Sequence, residues 1–239
     1  MTYQLPQADS LAYFKSLVKG EPSFPLLEAA ACLAHVEDQA ADVQTVLDEV
    51  DHLVHLLGRR LRADMDTLER IRVVNQFFFE ECRFSGNVNH YDDPHNSFMS
   101  HVIKTRRGIP VSLAVLWLEL AQSAGLDAHG VNFPGHFLVK VNLPHPRGAK
   151  LVVDPFTGQV LAREDLMVRL ANWMPGFEVD VHSAAADHAL SQCLGDARPR
   201  DILVRMLRNL EEIYRRRESA DCLKAVEDRQ AALKERLTS

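Results

Sequence analysis

Ser112, His136 and Asp154 are the residues of this chain whose types and settings could do chemistry together. Ser112 lies in Gly108-Ile109-Pro110-Val111-Ser112-Leu113, where Pro110 opens an apolar helical run and the hydroxyl falls in its first turn. His136 follows Pro134-Gly135 and opens the alternating run Phe137 to Val141, while Asp154 closes the apolar run Leu151 to Val153. A hydroxyl at a helix amino end, an imidazole to move its proton and a carboxylate to orient that imidazole are the parts of a nucleophilic triad. The free N–H groups and dipole of the helix tip would receive a developing oxyanion. Gly135 leaves room for a substrate backbone beside the imidazole. Each residue also has a plainer role: serine caps helices, histidine fills cores, and aspartate before proline caps a turn.

Two other groups of residues compete. The run Asn89-His90-Tyr91-Asp92-Asp93-Pro94-His95-Asn96 holds imidazoles and carboxylates. Its spacing matches no dedicated metal motif and fits a self-capping loop, so no metal and no cofactor are expected. Cys82 follows Glu80-Glu81, whose charges would raise its pKa and favour an inert thiol over a displaced nucleophile.

Several elements must position these groups. Helical spacing marks Phe24 to His35, a stripe from Val43 to Leu57 that stops near Gly58, and Asp66 to Cys82. Phe84 to Ser100 reads as an ordered polar loop anchored by Tyr91 and Phe98. From Pro110 to near Gly125 apolar residues fall on most helical faces, as expected of a buried central helix. His129 to Asn132, Phe137 to Val141 and Leu151 to Val153 read as strands, the last two forming an antiparallel hairpin. A short helix is predicted over Asp165 to Ala171 and a helical hairpin over Asp201 to Arg217 and Asp221 to Leu237. The expected division is a helical region at 1–63, a core at 64–180, a connection at 181–198 and the hairpin at 199–239. The fold class is α+β, with the buried helix against a small antiparallel sheet.

The totals narrow the function. The 239 residues are 46% hydrophobic and 25% charged, enough apolar material for a sizeable core. A net charge of -6 argues against an extended nucleic-acid surface. No basic-then-apolar leader and no bilayer-length apolar run is apparent, so no membrane role is expected. The scattered Cys32, Cys82, Cys193 and Cys222 fit reduced thiols in the cytoplasm.

Four motifs in fixed order are more specific. Asn89-x-Tyr91-x-Asp93-Pro94-x-Asn96-Ser97, Arg107-Gly108-Ile109-Pro110-Val111-Ser112-Leu113, Pro134-Gly135-His136-Phe137-Leu138-Val139 and Asp154-Pro155-Phe156 resemble the signature of the bacterial SirB family. The resemblance covers roughly residues 40 to 235 and extends to a domain of an F-box protein. It implies a papain-like, transglutaminase-like core followed by tetratricopeptide-type helices, here one pair where relatives continue. It also implies that Ser112 stands where cysteine enzymes of the wider superfamily carry their nucleophile, His136 at the base and Asp154 at the orienting residue. Asn89, Tyr91, Asn96 and Ser97 fall on the family's polar loop, expected at the border of the cleft. The preferred expectation is a protein without cysteine chemistry that binds a peptide or protein segment in the retained cleft. The alternatives are a Ser-His-Asp amidase, peptidase or acyl transferase, and a helical adaptor. Substrate, partner identity and oligomeric state are not legible.

Overall fold

The helical periodicity is realised in a computed structural model that describes residues 7–19, 24–145, 148–173 and 183–235. Helix α1 (Gln7–Val18) buries Phe14 and Val18. Helix α2 (Leu26–Ala31) runs into a 3-10 turn, Cys32–Val36, and its alanines let neighbouring elements approach closely. Asp42 caps α3 (Val43–Gly58) by accepting the Gln44 N–H at 2.9 Å, and Val46, Val50, Leu53 and Leu57 form its buried stripe. Asp66 and Glu69 make a capping box on α4 (Thr67–Asn75), which continues as a π-helical turn at Gln76–Glu81.

Strands β1 (Ser85–Gly86) and β2 (Arg107–Gly108) pair in parallel, in register Ser85 with Arg107 and Gly86 with Gly108. Between them lie the polar loop, a 3-10 turn at Pro94–Ser97 and α5 (Met99–Thr105). Helix α6 (Pro110–Ser123) follows, buried on almost every face. The sheet is antiparallel, β3 (Ala128–Val131), β4 (Leu138–Asn142), β5 (Lys150–Val153) and β6 (Val160–Leu161), in that order across it. Four helices complete the described chain: α7 (Arg163–Trp173), α8 (Ala184–Cys193), α9 (Pro199–Arg216) and α10 (Ala220–Lys234).

The period of two along β4 divides the interior. Phe137, Val139 and Val141 join α6 in one core that reaches from Phe14 to Leu233, so the first helices and the terminal hairpin share it. Leu138 points the other way, with Val131, Val152 and Leu161, against Leu166 and Leu170 of α7 and Ala186 and Leu190 of α8. Lys140 lies on this second face, 3% exposed. Its ammonium donates to the Leu194 carbonyl at 2.6 Å and pairs with Asp196, which ties the end of α8 to the sheet.

The described residues correct the sequence reading in several places. The span expected as a connection, 181–198, contains α8, and α5 interrupts the end of the expected loop. α1, β1, β2 and β6 had no clear pattern of their own. Among the described residues no helix is long and apolar enough to cross a membrane.

Candidate functional site

Turn chemistry delivers the imidazole. The His136 N–H closes on the Phe133 carbonyl at 3.0 Å, with Pro134 and Gly135 in the middle of the turn and Gly135 at φ +71°. Proline fixes the first central residue and glycine accepts the left-handed second, which makes the sequence Pro-Gly suited to this corner. Gly135 is also needed for space: a Cβ there would stand 2.5 Å from Cε3 of Trp173. Its predicted role toward a substrate backbone therefore meets an occupied place, because the indole already lies over it.

Asp154 ends β5 and begins its own turn. Its N–H donates to the Gln159 carbonyl at 2.9 Å, and its carbonyl accepts the Gly158 N–H at 2.8 Å. Oδ1 accepts the Phe156 N–H at 2.9 Å, an aspartate-stabilised turn. Antiparallel pairing of Val139 with Val153 carries His136 and Asp154 to the same end of the sheet.

There the two residues meet. His136 Nε2 and Asp154 Oδ1 are 2.9 Å apart, and Nη2 of Arg169 donates to Oδ2 at 3.0 Å. Asp154 is 1% exposed. Burial pushes its carboxyl pKa up, but the hydrogen bond and charge of His136, the Phe156 N–H and the Arg169 cation outweigh it and hold the group below its ordinary range. Asp154 is thus ionised, spanned by a cation on one oxygen and an imidazole on the other. Phe156 lies edge-on to the imidazole at 6.4 Å between centroids, Tyr91 packs against Phe156 at 6.0 Å, and Trp173 over Gly135 is 61% exposed.

Ser112 has other hydrogen-bond partners. It is fully buried at the third position of α6, where its Oγ accepts the Ile109 N–H at 3.1 Å and donates to the Asn96 carbonyl at 2.6 Å. The Ile109 carbonyl is 3.0 Å away, and none of these hydrogen bonds runs to His136. Of the expected trio, the structure joins His136 to Asp154 and commits Ser112 to the helix start and the polar loop. The cause is local: the first turn of a helix has orphan N–H groups, and a serine in that turn is the nearest acceptor.

The polar loop divides in the same way. Asn96 is 1% exposed, accepts from Asn87 Nδ2 at 2.9 Å and donates to the carbonyls of His90 at 2.7 Å and Tyr91 at 3.2 Å. Ser97 is fully buried. These two support the loop from within, whereas Asn89 and Tyr91 are exposed and line a shallow depression of about 670 Å³ with Asp93, His95 and Arg217. The loop is tied to the terminal hairpin by Arg216 on the Asp92 carboxylate, 3.1 Å at the nearest atoms. Among the described residues no group of three or more His, Cys, Asp or Glu side chains could hold a metal ion. Burial pushes the Cys82 thiol up, against the opposing charge of Arg106.

Arg169 and Trp173 escaped the sequence reading. Leu166, Arg169, Leu170 and Trp173 share one face of α7, so the available signal was a cation interrupting an apolar stripe.

Residues 44–208 match the family model described as transglutaminase-like superfamily. A UPF0162 protein of Xylella fastidiosa is 37% identical over 199 residues, covering 81% of this chain and 66% of that protein. A UPF0162 protein of Pseudomonas aeruginosa is 32% identical over 197 residues, 79% of this chain and 64% of that one. The chain thus spans just under two thirds of the length of these relatives. F-box only protein 21 of Homo sapiens is 36% identical over 67 residues, 28% of this chain and 11% of that protein. No solved structure matches. With more than half its length inside the matched region and the relatives in agreement, the chain belongs to the transglutaminase-like superfamily.

Proposed function

We propose that this protein binds a peptide or protein segment against the His136 face and does not transfer acyl groups. The observation that carries the reading is the engagement of Ser112: a fully buried hydroxyl with two committed partners is a cap rather than a nucleophile. The half-exposed Tyr91, the exposed Trp173 over Gly135 and the imidazole of His136 offer apolar area with one polar handle, the mix that recognises a chain segment. The SirB assignment, a papain-like layout, a tetratricopeptide-type reading of α9 and α10 and a cytoplasmic setting belong to the same proposal. The free state of the four cysteines agrees with a reducing compartment.

A serine-dependent amidase, peptidase or acyl transferase is the second reading, favoured by the 2.9 Å contact of His136 with Asp154. It requires Ser112 to leave both its partners. The test uses a panel of fluorescent peptides together with ester and amide substrates. The binding reading expects peptide affinity that drops in His136→Ala and Trp173→Ala, with no turnover above buffer. Turnover abolished by His136→Ala would overturn it.

A further inference from the structure

We propose that Arg83, Arg106 and Arg107 form an anchoring patch for acidic side chains of the bound segment. This deepens the reading of the His136 face as a segment-binding site and rests on it.

The β1–β2 ribbon brings Arg83 close to the consecutive Arg106 and Arg107. The Ser85 N–H donates to the Arg106 carbonyl at 3.0 Å, and Nη1 of Arg107 donates to the carbonyls of Arg83 at 3.0 Å and Arg106 at 3.1 Å. The Arg106 guanidinium lies over Phe84, 4.7 Å from its centroid, and its Nη1 is buried without a hydrogen-bond partner. No carboxylate of the described residues forms an ion pair with any of the three. Some arginines elsewhere do find one: Arg60 meets Glu81, Arg163 meets Asp187 and Arg216 meets Asp92. Arg83, Arg106 and Arg107 thus carry positive charge with no paired carboxylate among the described residues, in a chain with 33 acidic and 27 basic residues.

Arg83 and Arg106 both sit at φ 60°, in the left-handed region where glycine or asparagine is less costly. Arg106 takes this conformation as the C-cap of α5 and Arg83 directly after the π-helical turn, a common way for helices to end. The ribbon also leads to the site: the Gly86 N–H donates to the Phe156 carbonyl at 2.9 Å, and the Phe156 ring neighbours His136. A segment lying beside the imidazole would continue over the ribbon onto the arginines. Their planar forks match carboxylates two at a time. A patch of three suits two or three acidic side chains, while the net charge of -6 opposes a polyanion tracked over distance.

The test measures anisotropy of fluorescein-labelled Gly/Ser peptides carrying either four glutamates or four lysines, at about 50 and about 200 mM salt. Expected are binding of the glutamate peptide only, weakening at the higher salt, and about a tenfold loss in Arg83→Ala/Arg107→Ala, from two exposed charge contacts. Arg83→Gly, which relieves the backbone, must also bind less while remaining folded, and Arg62→Ala serves as a control with unchanged affinity. Equal affinity for both peptides, wild-type affinity in the arginine variants, or an oligothymidylate binding as tightly as the glutamate peptide would overturn the patch. Arginine-dependent binding that persists unchanged in His136→Ala and Trp173→Ala would keep the patch and remove the His136 face from the account.

Discussion

Replacing Ser112 with alanine removes a hydroxyl that is fully enclosed and holds two main-chain groups, the Ile109 N–H and the Asn96 carbonyl. Neither group gains water in exchange. A buried donor or acceptor left without a partner costs about 1–3 kcal/mol, and loss of a capping side chain costs about 1 kcal/mol. The two figures overlap at the Ile109 N–H, so the expected destabilisation is about 2–4 kcal/mol. For a chain of this size each kcal/mol moves the midpoint by about 2–4 °C, which gives a fall of roughly 5–15 °C. Urea and thermal unfolding followed by circular dichroism measure it. His136→Ala is the comparison, because Asp154 keeps Arg169 and the Phe156 N–H when the imidazole is gone. Its cost should be smaller than that of Ser112→Ala. If Ser112→Ala unfolds within about 0.5 kcal/mol of wild type, the hydroxyl is not a structural cap and the reasoning fails.

Two further outcomes follow from the same site. Because the Asp154 carboxyl sits below its ordinary value of about 3.9 in the folded chain, its contribution is complete above that value and is lost as pH falls through the folded one. The stability advantage of wild type over Asp154→Asn should therefore be level near neutral pH and shrink below about pH 4; an advantage that grows on acidification contradicts the ionised pair. Gly135→Ala forces a Cβ to 2.5 Å from the Trp173 ring at a φ of +71°, costing at least about 1 kcal/mol. It should also shift tryptophan emission, since Trp117 is fully buried and Trp173 is the exposed indole. Unchanged emission would mean that the indole does not cover this turn.

Much of the frame was legible because its signals are local and repeated. The stripe Val46, Val50, Leu53 and Leu57 and the alternation from Phe137 to Val141 each repeat a period often enough to fix type and face. β1, β2 and β6 contain two residues each, too few to show a period, and they exist through their partners. In α8, Ala184-Ala185-Ala186 precedes a single large anchor, Leu190, so composition hid the stripe. The site shows the same divide. Pro134-Gly135 and Asp154-Pro155 announce their turns, and those turns place the imidazole beside the carboxylate. Ser112 carried two readings with one sequence signature, and its partner, the Asn96 carbonyl, lies sixteen residues away and is invisible to any short motif. Arg169 reached the site from α7 only through tertiary packing against the second face of the sheet.

A fluorophosphonate probe, which forms a covalent adduct with serines activated for attack, addresses the central assignment directly. Intact-mass and peptide mapping after exposure of the folded chain should find no adduct on Ser112, as its hydroxyl is enclosed and bonded at 2.6 Å to the Asn96 carbonyl. An adduct on Ser112 that vanishes in His136→Ala would contradict that, and would establish a working nucleophile where this account places a helix cap.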